Sequence, residues 1–423
     1  MCEILPLFGS LEENDDILDK REERIPSIAS SDDRHFRFKI SPTDEYINLS
    51  KTTLYYKIRI LKEDGTAIDA GTEVALMNYS GAACISKMEI FAGPDQDNVI
   101  ILDNYNYVAF LEAHLTFNED YKKTALSCAN YYADTPGQMD TMGDANEGFK
   151  KRKELSANSA YLEVESKLHS GIFSQQKALK SRVPMTIEFT VSNPQFAINA
   201  PTAAGKFKFE IIEPTLVIQR LKLSSKMADI YEKQWLKQPI DYEFERSKIW
   251  VKDVDQGLST VHLKEFCDDK KLPKRIFLMM VPELAYSGKH HLNPFNFKNY
   301  NVKSLNLTLN GQSLTGKPLL MDWTKNTFLQ AYSQLLKSLN KFEDMHGCGL
   351  TKDVFAKGSS IFGYDLSPTC TNLNLIDPVR VGNLEADLIF ADTTPEKLKI
   401  LIFSEYEDKF QLNSMQRVIK VYS

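Results

Sequence analysis

No stretch of this sequence stays apolar for the ~20 residues that a membrane-spanning helix requires. Met1 to Ser10 has no apolar signal core and runs into Glu12-Glu13-Asn14-Asp15-Asp16, which argues against a secretory signal. Cysteine is scarce: six residues (Cys2, Cys84, Cys128, Cys267, Cys348, Cys370) with no CxxC spacing. That pattern reads as free thiols in a reducing compartment, not as a disulfide framework. Neither sign of charge dominates. Lys plus Arg number 51 against 57 Asp plus Glu, a formal charge of −6. A surface that grips nucleic acid all over needs a basic footprint and is disfavoured, though one basic face is not. What remains, 423 residues with 43% hydrophobic and 26% charged, is the composition of a soluble intracellular globular protein of two or three domains.

Catalytic signatures are equally sparse. A cupin-type metal site needs two histidines two apart on a strand, whereas the close pair here, His290-His291, is adjacent and would point to opposite faces. It follows Tyr286-Ser287-Gly288-Lys289 and reads as an exposed polar loop. His346 and Cys348 flank Gly347, but two ligands do not make a metal site. There is no Gly-x-Ser-x-Gly elbow and no Gly-rich loop ending in Lys-Ser/Thr. Asp365, Glu405 and Glu407 lie near strand ends with no assignable partner acid. Sequons at Asn48, Asn78 and Asn306 read as chance matches in a chain without a signal peptide.

What the sequence does have is strands. His35–Ile40 alternates apolar and polar, and Leu54–Ile60 does so more clearly, with Leu54, Tyr56, Ile58 and Ile60 on one face. Glu63-Asp64-Gly65-Thr66 supplies a turn. Ile85–Phe91, Met185–Val191, Lys206–Ile211 and Thr215–Leu221 follow. The second half adds Tyr242–Val251, Arg275–Val281, Val302–Leu309, Leu384–Phe390, Leu398–Phe403 and Gln416–Val421. Asn310-Gly311 marks a tight hairpin, because both residues tolerate positive φ. Three helices are expected: Tyr105–Phe117 capped by Asp103, Ser225–Lys237 capped by Ser224 and linking the halves, and Thr327–Leu339.

The halves echo each other. Phe110-Leu111-Glu112-Ala113, Gly171-Ile172-Phe173 and Asn193-Pro194 recur in order as Phe328-Leu329-Gln330-Ala331, Ser360-Ile361-Phe362 and Thr394-Pro395. The expected fold class is all-β with a few short helices, as two β-sandwiches of the jelly-roll kind. The expected boundaries are an N-terminal arm at 1–33, a first domain at 34–223, a helical linker at 224–239 and a second domain at 240–423. Two segments stand out as candidate contacts. Lys150-Lys151-Arg152-Lys153 is the densest basic run and could meet phosphate or an acidic patch. The stretch Asn293 to Tyr300, with Pro294, Phe295, Phe297 and Tyr300, mixes large apolar groups with amides. It reads as a packed loop or an interface between subunits.

A series of segments resembles one family. Leu272-Pro273-Lys274-Arg275-Ile276, Asn293 to Tyr300, Leu307 to Gln312, Ile361 to Pro368 and Gly382-Asn383-Leu384 occur in order. Tyr46 to Thr52, Leu54 to Gly65 and Tyr132 to Gly137 precede them. Together they resemble the major capsid protein of Polinton (Maverick) elements and adintoviruses, over roughly Tyr46 to Arg417. The resemblance implies a double jelly roll of two eight-stranded sandwiches. It implies a non-enzymatic protein without cofactor or metal that trimerises into pseudo-hexagonal capsomers. These would tile an icosahedral virion shell around double-stranded DNA, after synthesis in the cytoplasm or nucleus of a host cell. Implied partners are further copies of the chain and a single-jelly-roll penton protein, with a maturation protease and a packaging ATPase encoded nearby. No sequence-specific nucleic-acid binding is implied. The rival readings are a domesticated host copy serving as an interaction or glycan-binding module, and a β-sandwich enzyme using a metal or paired carboxylates.

Overall fold

The computed structural model describes residues 16–28, 34–202, 205–368, 378–415 and 417–421. Beside a short pairing of Ala75–Leu76 with Ile198–Asn199, eight main strands build the first half: β1 (Ile17–Pro26), β2 (His35–Ile40), β3 (Tyr46–Lys62), β4 (Ile85–Ala92), β5 (Asp97–Asp103), β6 (Leu162–Lys167), β7 (Met185–Val191) and β8 (Phe207–Leu223). They form two antiparallel sheets, in the order β1-β8-β3-β6 and β2-β7-β4-β5. The second half contributes β9 (Ile240–Val254), β10 (Thr260–Leu263), β11 (Arg275–Pro282), β12 (Val302–Leu309), β13 (Gln312–Ser313), β14 (Phe362–Asp365), β15 (Leu384–Phe390) and β16 (Leu398–Leu412). Their order is β9-β16-β11-β14 and β10-β15-β12-β13, the first-half order shifted by eight. A short β17 (Val418–Val421) pairs with the end of β16. Two eight-stranded sandwiches with one pairing order make this an all-β double jelly roll.

Period-two patterning explains the layers. In β2 the burial alternates strictly, with Phe36, Phe38 and Ile40 inward. In β3 Leu54, Tyr56, Ile58 and Ile60 are fully buried, while Tyr55, Lys57 and Arg59 face outward. The turn at 63–66 closes as expected, with the Lys62 N–H donating to the Thr66 carbonyl at 2.9 Å. Asn310 and Gly311 take φ of 50° and 79°, and Leu309 pairs with Gln312 across them. Positive φ at both central residues matches the right-handed twist of the flanking strands.

Two expectations about the strands need correction. Ile17–Pro26, placed in a loosely ordered arm, is an edge strand registered against Thr215–Leu223 of β8. The rest of that arm, residues 1–15 and 29–33, lies outside the described residues. Lys206–Ile211 and Thr215–Leu221 are not two strands but one: β8 passes through Pro214 with a bulge between Ile212 and Thr215, where Glu213 takes φ of 52°. A bulge absorbs a residue that cannot donate to the ladder.

Four helices of ten or more residues punctuate the sheets among the described residues: α1 (Tyr105–Thr116), α2 (Glu147–Ser156), α3 (Ser225–Trp235) and α4 (Leu329–Ser338). Asp103 does not cap α1. It closes β5, and Asn104 holds the N-cap position with φ of 55° and no side-chain cap bond. Ser224 does cap α3, accepting from the Met227 N–H at 3.4 Å. Helix α3 runs between the halves and is pinned by Trp235, whose indole N–H donates to the Leu412 carbonyl at 3.1 Å. Helices α1 and α2 lie between β5 and β6, and α4 lies between β13 and β14. The two inserts occupy the same place in the two pairing orders, as the Phe110 and Phe328 segments anticipate. The Asn193-Pro194 and Thr394-Pro395 pairs also correspond, each just after the seventh strand of its half. Gly171 and Ser360 do not: Gly171 follows β6, whereas Ser360 precedes β14.

Candidate functional site

The chemistry-bearing residues of the sequence do not assemble one centre; most of them build the seam between the two jelly rolls. Helix α1 lays its aromatic face on the Asn293–Tyr300 segment. Phe110 and Phe295 stack face to face, with centroids 4.0 Å apart and planes 4° apart. Tyr107 and Phe196 approach Phe295 edge-on at 5.6 and 5.8 Å. Phe297 is held by its backbone, donating to the Gly358 carbonyl and accepting from Ser360. Phe295 and Phe297 are therefore 1% and 0% exposed within a single chain. Their reading as a contact between subunits is corrected: rings buried by their own chain offer no surface to a neighbour. Pro294 is buried as well. Tyr300 is half-buried and donates to Glu396 at 3.1 Å.

Polar groups complete the seam. Asp140 accepts from the Asn293 N–H at 2.9 Å and from the Asn296 amide at 2.8 Å, and pairs with Lys298 at 2.9 Å. Asp134 accepts from the Asn293 amide at 3.0 Å and from Arg152 at 2.7 Å. The basic run is thus split by the 3.6-residue period of α2. Gly148, Phe149, Arg152 and Ser156 face inward. Arg152 is fully buried, donating also to the carbonyls of Leu76 and Tyr132. As a contact residue for phosphate it is corrected, because its guanidinium is already surrounded by acceptors. Lys153 pairs with Glu73 at 2.8 Å. Lys150 and Lys151 stay on the outer face, near Asp144 and Glu154.

Deeper in the seam, Lys122 is buried and forms no ion pair among the described residues. Its ammonium donates to the His114 carbonyl at 2.6 Å and the Cys348 carbonyl at 2.7 Å, one from each half. Burial pushes it down to about 8. Burial, with Lys122 nearby, also holds His114 well below its ordinary value, so the imidazole is neutral where its Nε2 meets Ser359 at 3.0 Å. His290, expected in an exposed polar loop, is instead half-buried and bonds the Ile198 carbonyl across the seam at 3.2 Å. The His346 backbone N–H donates to Asp344. Among the described residues no three metal-ligating side chains converge. Sequence reading missed Asp134, Asp140 and Lys122, whose partners are far away along the chain.

Comparison with solved structures places this architecture. A chain of the Sputnik virophage cryo-EM structure superposes with a TM-score of 0.68 at 11% identity, covering 100% of this chain and 93% of its own. The mavirus major capsid protein does so at 0.54 and 9% identity, covering 99% and 93%. The PBCV-1 virus capsid gives 0.57 and 11%, covering 99% and 100%. The fold is that of double-jelly-roll capsid proteins. At such low identity the likeness is one of fold alone. No protein-family model matches the sequence. A curated relative, the uncharacterized protein F54H12.2 of Caenorhabditis elegans, is 25% identical over 387 residues, 88% of this chain and 90% of its own. No helix among the described residues is long and apolar enough to cross a membrane.

Proposed function

We propose that this chain is a structural, non-enzymatic major capsid protein, of the Polinton and adintovirus kind that its sequence resembles. One observation carries the reading. Along nearly its whole length the chain takes the double-jelly-roll fold of viral capsid structures, and its two halves repeat one strand order. Three copies of a chain with two similar blocks have six similar sides. A closed ring of heterologous contacts then gives a pseudo-hexagonal capsomer, and capsomers tile a virion shell around double-stranded DNA. Vertices would be filled by a single-jelly-roll penton protein. A maturation protease and a packaging ATPase would serve assembly in the host cell. We divide the chain into a first domain up to 223, a linker at 224–239 and a second domain from 240.

The mass of the purified protein by light scattering, with negative-stain images of the peak, tests this. A species near three times 48.2 kDa with a pseudo-hexagonal outline is expected. A monomer that persists across salt and pH would overturn the capsid role. The second reading, a domesticated copy acting as an interaction or glycan-binding module, would then lead. It draws support from the animal relative, whose match spans nearly all of both chains.

A further inference from the structure

Where the Gly171–Ser174 turn of the first half meets β9 of the second, the contact is lined with carboxylates. A Cβ on Gly171 would sit 2.1 Å from the Glu245 carbonyl oxygen, so only glycine lets the Gly171–Ser174 turn lie on β9. Beside it is a cavity of about 520 Å³ between the halves. Glu243 and Glu245 of β9, Arg275 of β11 and Glu405 of β16 line one wall. Glu112 of α1 and Lys177, just after the turn, face them. Lys177 is taken by Glu243 at 2.7 Å, and Glu112 by His169 at 3.3 Å. Arg275 alone serves the other two acids, with Glu405 at 2.5 Å and Glu245 at 3.1 Å. Four carboxylates thus face two cations inside the wall, and Glu405 is 5% exposed. In the neighbouring Lys274–Glu407 pair, with Lys274 just before β11 and Glu407 on β16, the acid is half-buried.

We propose that Glu245, Arg275 and Glu405 form a pH-responsive joint, closed while Glu405 keeps its proton and opened when that proton is lost. Glu405, deeply buried and sharing one guanidinium with a second carboxylate, is costly to charge. Burial and Glu245 raise Glu405 to about 8, against the pull of Arg275. Opening exposes Glu405 to water, where it ionises at its ordinary value near 4.3. The closed joint therefore binds more protons than the open one. Closure is favoured at low pH and weakens as pH rises from that ordinary value to about 8, then levels off. One proton corresponds to at most about a tenfold change in the opening equilibrium per pH unit.

Hydrogen exchange on the full chain tests this, read in peptides covering Gly171–Lys177 and Ile240–Val254 and corrected for the intrinsic pH dependence of exchange. From pH 6 to 8 protection in both should fall by more than tenfold. Glu405→Gln, which keeps the shape and the bond to Arg275, should flatten that dependence. Glu245→Gln, at a more exposed position, should flatten it too and serves if Glu405→Gln fails to fold. Protection that does not change with pH in the wild type overturns the joint. So does a pH dependence that survives in the folded Gln variants. Either result concerns the monomer and leaves the assembly reading untouched.

Discussion

Arg152 gives the sharpest test of the seam, because the same basic run also contains side chains that should not matter. Changing Arg152→Met removes the ion pair to Asp134, 2.7 Å long and buried at both ends. It also strips a donor from the carbonyls of Leu76 and Tyr132. Asp134 would remain with the Asn293 amide as its hydrogen-bond donor. Removing one member of a buried pair typically costs about 3–5 kcal/mol, because the other charge stays buried and uncompensated. About 4 kcal/mol is expected here. Asp134→Asn should cost a similar amount. The double variant should fall short of the sum by about 2 kcal/mol, the coupling expected of groups in direct contact. Denaturant midpoints are the assay, with fluorescence and circular dichroism compared, since a chain of two blocks need not unfold in one step. Lys150→Ala with Lys151→Ala is the control. Both lysines are about half-exposed and their pairs lie in solvent, so the midpoint should not move. An Arg152→Met midpoint equal to wild type would refute the reasoning. A control that loses as much would refute it too, since the run would then act as a charged unit.

Two further outcomes follow from the seam. Phe295→Ala removes a ring stacked on Phe110 and flanked by Tyr107 and Phe196. It should cost about 3–5 kcal/mol and split the thermal unfolding of the full chain into two transitions, because the halves lose their shared packing; one unchanged transition would count against a stabilising seam. Lys122, held at about 8 when folded, binds fewer protons folded than unfolded between that value and its ordinary ~10.4. Its contribution to stability therefore rises with pH across that window, and Lys122→Met should abolish the rise in melting temperature between pH 8 and 10; a rise that persists assigns it elsewhere.

Much of the sheet structure was legible because half-buried strands betray themselves by alternation. β2, the middle of β3, β7 and the Asn310-Gly311 hairpin are read directly from residue order. The misreadings have physical causes. Ile17–Pro26 is an edge strand whose residues are mostly exposed, so Lys20 to Arg24 carry no alternation to detect. Pro214 looked like a break because a bulge that tolerates proline leaves no trace in hydropathy. β16 runs on to Leu412 although Glu405, Glu407 and Asp408 interrupt its apolar pattern; their partners Arg275, Lys274 and Arg246 come from distant segments. Arg152 could have been found. Phe149, Arg152 and Ser156 recur at three and four residues, the mark of one helix face, and a charged residue on a buried face needs a partner. The aromatic segment at 293–300 was recognisable as an interface, but composition does not say which surface covers it.

The seam also explains why the halves can share a strand order and yet not be interchangeable. Both carry a helical insert between their fifth and sixth strands, β5 to β6 and β13 to β14, and it is these inserts that meet. Lys122 and His114 from the first reach Cys348 and Ser359 from the second, and the Gly137 N–H donates to the Lys357 carbonyl at 2.7 Å. The first insert donates through Lys122 Nζ and the Gly137 N–H to carbonyls of the second, so the contact is heterologous even though its two parts occupy equivalent positions. Such a contact is satisfied once, inside the chain, and does not propagate. These insert contacts are made inside the chain and are not available to another copy. The halves are held against each other by Phe110 on Phe295, by Asp134 and Asp140, and by the Gly171 contact with β9.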